Sequence, residues 1–323
     1  MAVYLVTGGC GFIGSHLCEA LIARGDTVRV LDDLSSGDLE DVPRQASILR
    51  GSVNEPELVD SVMDNVSGCF HLAAVASVER STRDWLGSHR TNLSGAIAVF
   101  DAARRMGHGG PIPVVYASSA AVYGDCKQLP LDETARVQPR SAYGADKYGC
   151  ELHARVASET FGVPTVGLRL FNVYGPHQDP GSPYSGVISI FCERLRRGLP
   201  IDVFGNGSQT RDFVFVTDVV NALLTSMDQM DNGPSVFNVC TGRATSVFEL
   251  AQLVGEICEC QPQINFRPTR SGEITHSVGN GDLIRGRFGF SGAVSLRSGL
   301  RKTVSWMQAT RNAVSSGSAN LDI

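Results

Sequence analysis

Tyr143 and Lys147 stand four residues apart in Tyr143-Gly144-Ala145-Asp146-Lys147, and Ser118-Ser119 lie upstream of them. On a helix, positions four apart share a face, so the ammonium lies beside the phenol. A phenol is a weak base in neutral water, but adjacent positive charge favours its ionised form and equips it to remove a proton. A serine hydroxyl at the end of a strand adds a hydrogen bond to a reacting alcohol. Such a trio suits oxidation and reduction at a carbinol, provided something accepts the hydride. YxxxK alone arises often by chance, so the rest of the chain must supply that acceptor.

Thr7-Gly8-Gly9-Cys10-Gly11-Phe12-Ile13-Gly14 supplies it, with its glycines spaced GxxGxxG. The segment follows a predicted strand and opens a predicted helix, which turns a weak pattern into a specific one. Gly8 permits a tight turn, Gly11 a close approach to a pyrophosphate, and Gly14 the packing of helix against strand. The helix N-terminus then offers free N–H groups and the positive end of its dipole to the phosphates. Asp32 ends the second strand, 18 residues past Gly14, where a carboxylate accepts the adenosine ribose hydroxyls. The same charge repels a 2′-phosphate, so the expected cofactor is NAD and not NADP.

These groups need a scaffold. Val3–Thr7, Thr27–Leu31, Ile48–Arg50, Cys69–Leu72, Pro113–Ala117 and Thr165–Leu170 read as strands. Helices are expected over Phe12–Arg24, Glu55–Val66, Gly87–Met106 and Tyr143–Phe161, where apolar residues recur at helical spacing. Alternation of this kind predicts an α/β, Rossmann-type doubly wound parallel sheet. After Leu170 the rhythm breaks. Asn172–Ser185, rich in Gly, Pro and Asp, reads as a long binding loop. The remainder reads as a smaller, mixed α/β C-terminal domain. The division expected is 1–172 plus about 213–240 for the cofactor and 173–212 plus about 241–307 for substrate. Residues 308–323 are polar and expected to fray.

The 323 residues, 42% hydrophobic and 19% charged, carry enough apolar material for a large core and exclude a disordered chain. A net charge of −5 argues against a nucleic-acid partner. No window approaches the ~20 apolar residues of a membrane helix, and the start lacks the pattern of a secretion signal. Nine cysteines form no CxxC pair; free thiols in a reducing cytoplasm are expected, with no metal site.

With these residues in place, the chain resembles the extended short-chain dehydrogenase/reductase family of nucleotide-sugar epimerases and dehydratases. TGGCGFIG (7–14), HLAA (71–74), SSAAVYG (118–124), YGADK (143–147), RLFNVYGP (169–176) and QTRDFVFVTD (209–218) carry the resemblance, which spans roughly residues 1–307. It implies tightly bound NAD and a nucleoside diphosphate sugar in the second domain. It also implies a homodimer through a four-helix bundle of about 87–106 and 143–161. Ser119, Tyr143 and Lys147 become the catalytic residues. Gly8, Gly11, Phe12, Ile13, Gly14, Asp32, Asp33, Ser36, Gly37, Ser52, Val53, Leu72, Ala73, Ala74 and Asn92 become cofactor contacts, together with Tyr143 and Lys147. Ser77, Ser118, Ser119, Asn172, Val187, Val203, Phe204, Arg211, Arg270, Glu273 and Ser277 become substrate contacts. Relatives usually have Asp where Ser52 and Glu273 stand here, which weakens one adenosine contact and shifts one ribose contact.

The resemblance also narrows the reaction. Dehydratases of the family carry an Asp-Glu pair after the serine or threonine, decarboxylating relatives a Glu near it, and 3,5-epimerases a Cys. This chain has Ala120 and Ala121 there, so elimination and carbon-acid chemistry lack their group. What remains is 4-epimerisation of a UDP-hexose through a 4-keto sugar. Ser277 aligns with a position where plain-hexose enzymes hold Tyr and those accepting N-acetylhexosamines hold Ser or Cys, so UDP-GlcNAc and UDP-GalNAc are expected substrates beside UDP-glucose and UDP-galactose. The alternatives are a UDP-glucuronic acid 4-epimerase, another nucleotide-sugar epimerase, and a non-catalytic NAD-binding sensor. A uronate would want a cation near carbon 6, where His177-Gln178-Asp179 offers only a histidine beside an acid.

Overall fold

The computed structural model describes residues 1–105, 109–181, 186–231, 233, 235–269 and 274–317, with side chains as far as residue 309. In chain order the first part comprises β1 (Val3–Thr7), α1 (Phe12–Ala23), β2 (Thr27–Asp32), β3 (Ser47–Arg50), α2 (Pro56–Met63) and β4 (Gly68–His71). It continues with α3 (Val78–Arg83), α4 (Trp85–His89), α5 (Gly95–Arg105), β5 (Val114–Ser119), α6 (Ala142–Phe161) and β6 (Thr165–Leu170). The second part adds β7 (Asn172–Tyr174), α7 (Val187–Arg196), β8 (Ile201–Phe204), β9 (Thr210–Arg211), β10 (Phe213–Phe215), α8 (Val216–Asp228) and β11 (Ser235–Val239). It ends with β12 (Thr245–Ser246), α9 (Val247–Ile257), β13 (Ile264–Arg267), β14 (His276–Ser277), α10 (Asp282–Phe288) and α11 (Leu296–Gly317).

Seven of these strands form one parallel sheet in the order β11-β6-β5-β4-β1-β2-β3. Every residue of β4 and β6 is buried, as expected of parallel strands covered on both faces. One face packs on α1 and α8 through Leu17, Leu21, Val219 and Leu223. The other packs on α2, α5 and α6 through Val59, Val99, Phe100 and Ala154. The chain winds outward from β1 to β3 and then returns to β4 on the far side of β1. The crevice at that reversal, outside the carboxyl ends of β1 and β4, is where open α/β sheets bind ligands.

A third core, around Phe191, Leu195, Leu250, Val254 and Leu300, lies under α7, α9 and α11. Among the described residues, no helix is long and apolar enough to cross a membrane.

Two expectations change. Asn172–Tyr174, the start of the expected loop, is β7 and pairs in parallel with β10; three residues are too few for a readable period. Instead of one helix over 87–106, α4 passes through a π-turn at Arg90–Ser94 into α5, with Met106 outside the described residues. Helix α11 runs on to Gly317, and residues 318–323 of the expected tail are outside the described residues.

Candidate active site

At the crevice lies a cleft of about 420 Å³. The glycine turn forms its floor. Gly8 has φ +71°, and a β-carbon there would stand 2.6 Å from the Ala73 nitrogen at the end of β4. A β-carbon on Gly14 would run into the Gly8 carbonyl oxygen. Both positions therefore demand glycine. Gly11 caps α1 without a side-chain acceptor, and the first turn holds no acid, so its donors face the cleft available for an anion.

Asp32 closes the adenosine end. Its Oδ2 accepts from the Cys10 N–H at 2.9 Å and its Oδ1 from the Leu34 N–H at 2.8 Å. Burial pushes this carboxyl up, and those two N–H groups oppose the rise. The acceptor set and the uncapped helix fit an NAD dinucleotide, with lone pairs on Asp32 left for ribose hydroxyls. Of the expected cofactor contacts, Gly8, Gly11, Phe12, Ile13, Gly14, Asp32, Asp33, Ser36, Ser52, Val53, Leu72, Ala73, Ala74, Tyr143 and Lys147 line the cleft.

Two do not. Gly37 packs behind the floor, where a β-carbon would press on the Cys10 backbone. Asn92 is fully buried in the π-turn, and its Oδ1 accepts from the Val75 N–H at 2.7 Å while Nδ2 donates to the Val75 carbonyl at 3.3 Å. Asn92 therefore holds the wall that Val75 belongs to. The same π-turn presents Thr91 to the cleft, as such turns often do at functional sites.

Ser119, Tyr143 and Lys147 line the same cleft. Ser141 caps α6 by accepting from the Gly144 N–H, which places Tyr143 in the first turn of the helix. Lys147, only 2% exposed, donates from Nζ to the Ala117 carbonyl at 2.9 Å and lies 5.9 Å from the Tyr143 ring centroid. Ser119 ends β5 and accepts from the Ala121 N–H at 3.1 Å. His71 stays a neutral imidazole: burial, and secondarily the Lys147 ammonium, hold its pKa down to about 3. Its Nδ1 pairs with Thr7 Oγ1 at 2.8 Å.

The expected substrate contacts divide. Ser118 lines the cleft, yet its hydroxyl turns inward to donate to Glu151 Oε1 at 2.6 Å. Ser77 Oγ is occupied in capping α3. Val203 is 1% exposed and packs in the third core, so a direct ligand contact through its side chain is corrected to packing. Asn172, Val187, Phe204, Arg211 and Ser277 lie outside the cleft lining. Arg211 and Ser277 are paired across β9 and β14. Buried Asp212 holds that region together, taking bonds from the Thr241 N–H and hydroxyl, the Gly242 N–H and the Gly279 N–H. Arg270 and Glu273 lie outside the described residues.

Arg80 and Gln178 also line the cleft and were not among the expected contacts. Arg80 sits on a helix too short for a period, and Gln178 in a loop without one. Among the described residues, no cluster of three or more ligating side chains could hold a metal.

A dinucleotide crevice joined to a serine–tyrosine–lysine site defines a class of nicotinamide-dependent enzymes acting on carbinols. The chain matches the profile of the NAD dependent epimerase/dehydratase family over residues 4–240 and belongs to that family; its cofactor is NAD. It is similar to a crystal structure of UDP-glucose 4-epimerase with UDP-glucose from Thermotoga maritima, at 36% identity and TM-score 0.91, covering 96% of this chain and 99% of that one. It is also similar to UDP-N-acetylglucosamine 4-epimerase from Methanobrevibacter ruminantium in complex with UDP-N-acetylmuramic acid (31%, TM-score 0.90, 96% and 99% covered). A third similar structure is UDP-glucose 4-epimerase from Thermus thermophilus complexed with NAD (33%, TM-score 0.88, 95% and 99% covered).

Cofactor choice is testable at once. Protein denatured after purification is expected to release NAD(H), read by mass spectrometry. NADP(H) in that extract would contradict the role given to Asp32.

Proposed function

We propose that this protein is an NAD-dependent 4-epimerase of UDP-hexoses that also accepts their N-acetylated counterparts. The observation that carries the reading is a cleft lined by Ser119, Tyr143 and Lys147, with Ala120 and Ala121, which carry only methyl groups, following Ser119 in the chain. Proton and hydride exchange at one carbinol needs the trio. By the family resemblance, elimination, decarboxylation and 3,5-epimerisation rely on a further acid, base or thiol at or near these positions.

In this mechanism Ser119 holds the sugar 4-hydroxyl by a hydrogen bond, and Tyr143 takes its proton and later returns it. Lys147, anchored on the Ala117 carbonyl, lies beside the phenol ring and would hold the nicotinamide ribose. NAD supplies the acceptor and donor of the hydride from carbon 4. Arg211, with Arg270, holds the diphosphate so that the 4-keto sugar can turn its other face. A bidentate guanidinium suits that task.

Residues 1–172 with about 213–240 hold NAD in this reading, and 173–212 with about 241–307 hold the nucleotide sugar. Exposed Ile97 on α5 and Leu152 and Val156 on α6 are consistent with a homodimer through a four-helix bundle. All nine cysteines are free, in keeping with a cytoplasmic protein. Against a uronate, His177 is absent from the cleft lining and stacks on His16 instead.

Incubation with UDP-glucose and UDP-GlcNAc, followed by proton NMR and absorbance at the NADH band, tests the reaction. The epimer should form with no net NADH; accumulating NADH would make the protein a dehydrogenase.

Ser277, 8% exposed on β14 beside Arg211, is the proposed gate for the substituent at carbon 2. A phenol ring in its place would fill the space an acetamido group needs, and overfilling a packed site costs about 1–3 kcal/mol. Ser277→Tyr should therefore lower kcat/KM for UDP-GlcNAc relative to UDP-glucose by about tenfold or more. An unchanged ratio would remove Ser277 from specificity.

A further inference from the structure

Arg80 has no place in the mechanism above, yet it lines the cleft. Among the described residues the lining holds one other cation, Lys147, which is committed to the Ala117 carbonyl and lies beside the Tyr143 ring. The lining also holds two acids, Asp32 and Asp33. A bound dinucleotide adds the charge of its diphosphate to theirs, and the partial positive charge at the N-terminus of α1 offsets only part of it.

Local geometry brings Arg80 to this cleft. The glycine turn abuts the chain at Ala73, just past β4. From there the chain follows the lining through Ala74, Val75 and Ala76. Ser77 then caps α3 by accepting from the Arg80 N–H at 3.1 Å. Val78 and Glu79 are exposed, Ser77 and Ser81 are buried, and Arg80 is half-buried between the two sides.

The charge of Arg80 is unanswered within the chain. The neighbouring acids are engaged elsewhere: Glu79 pairs with Arg83 at 2.7 Å, and Asp84 Oδ1 accepts from the Gly87 N–H at 3.0 Å. Among the described residues nothing accepts a hydrogen bond from the Arg80 guanidinium. Drawing a cation partly out of water without a counter-charge is unfavourable, and a bound anion removes that cost.

We propose that Arg80 is a phosphate clamp for the cofactor. Its guanidinium holds the NAD diphosphate from the α3 side, while the N–H groups of α1 hold it from the glycine turn. A planar guanidinium suits two phosphate oxygens at once. Arg211, given to the diphosphate of the nucleotide sugar in the reading above, lies outside the cleft lining, which leaves the cofactor's diphosphate as the anion of this cleft.

Arg80→Gln keeps a polar side chain and deletes the charge. NAD and ADP-ribose, which shares the diphosphate but lacks nicotinamide, are titrated into NAD-depleted full-length protein, and UDP-glucose into protein saturated with NAD. Affinity for NAD and for ADP-ribose should fall alike, by about 10–100-fold, the scale of a lost hydrogen bond to a charged group. Wild-type affinity for NAD should weaken with rising salt more steeply than that of the variant, because salt screens the charge pair. Arg80→Lys, which keeps the charge without the fork, should recover part of the loss. The Tm of NAD-depleted Arg80→Gln should match the wild type. Unchanged NAD affinity overturns the proposal, as does a fall for NAD that spares ADP-ribose or a fall for UDP-glucose alone. A lowered Tm with the salt dependence unaltered overturns it too, by making Arg80 structural. These titrations are read without turnover, so absence of epimer from the wild type bears on the proposed reaction alone.

Discussion

Tyr143→Phe should lose turnover by about 10²–10⁴-fold, the usual worth of a positioned acid–base group. The substitution removes one oxygen from a ring in the first turn of α6, where the Ser141 cap and Lys147 remain in place. NAD should stay bound, and the Tm should stay close to wild type. Because the phenol acts on the proton in the transition state, the loss should fall in kcat and leave KM nearly unchanged. Initial rates with UDP-glucose, checked against cofactor content after denaturation, decide it. Retention of more than about a tenth of the activity would dismiss Tyr143 as the base.

The second large effect lies behind the site. Arg169 meets Glu151 in a bidentate pair, Nε to Oε1 at 2.9 Å and Nη2 to Oε2 at 2.7 Å, with side chains 6% and 5% exposed. Arg169 Nη1 also donates to the Tyr123 hydroxyl, which donates to Asn238 Oδ1. Glu151→Ala leaves a guanidinium buried without its counter-charge and should cost about 3–5 kcal/mol of stability. Urea unfolding measures it. Replacing both partners, Glu151→Leu with Arg169→Met, should recover much of that loss because no lone charge remains. A single substitution costing under about 1 kcal/mol would mean that water reaches the pair.

That network shows where sequence reasoning succeeds and where it stops. The glycine turn, Asp32 and the Tyr143/Lys147 pair were legible because each rests on short-range geometry: a strand, a turn, a helix face. β1, α1 and β6 follow for the same reason, since their periods run over five or more residues. Ser118 lines the cleft as expected, but the direction of its hydroxyl is not legible in the sequence. Its neighbour Ser119 faces the cleft, but Glu151, which turns Ser118 inward, is 33 residues away along the chain. For Val203, alternation along β8 places it and Phe204 on opposite faces, and only the third core decides which face is buried. Asn92 needed tertiary structure outright, because a π-turn sets its direction.

The fate of hydrogen at sugar carbon 4 tests the proposed reaction most directly. UDP-glucose deuterated at carbon 4 is incubated with the protein in ordinary water, and the epimer is examined by NMR and mass spectrometry. Hydride removed and returned within one closed cleft predicts a UDP-galactose that keeps deuterium at carbon 4, with no label lost to solvent. Loss of the label to water, or a product altered at any carbon other than carbon 4, would contradict a 4-epimerase.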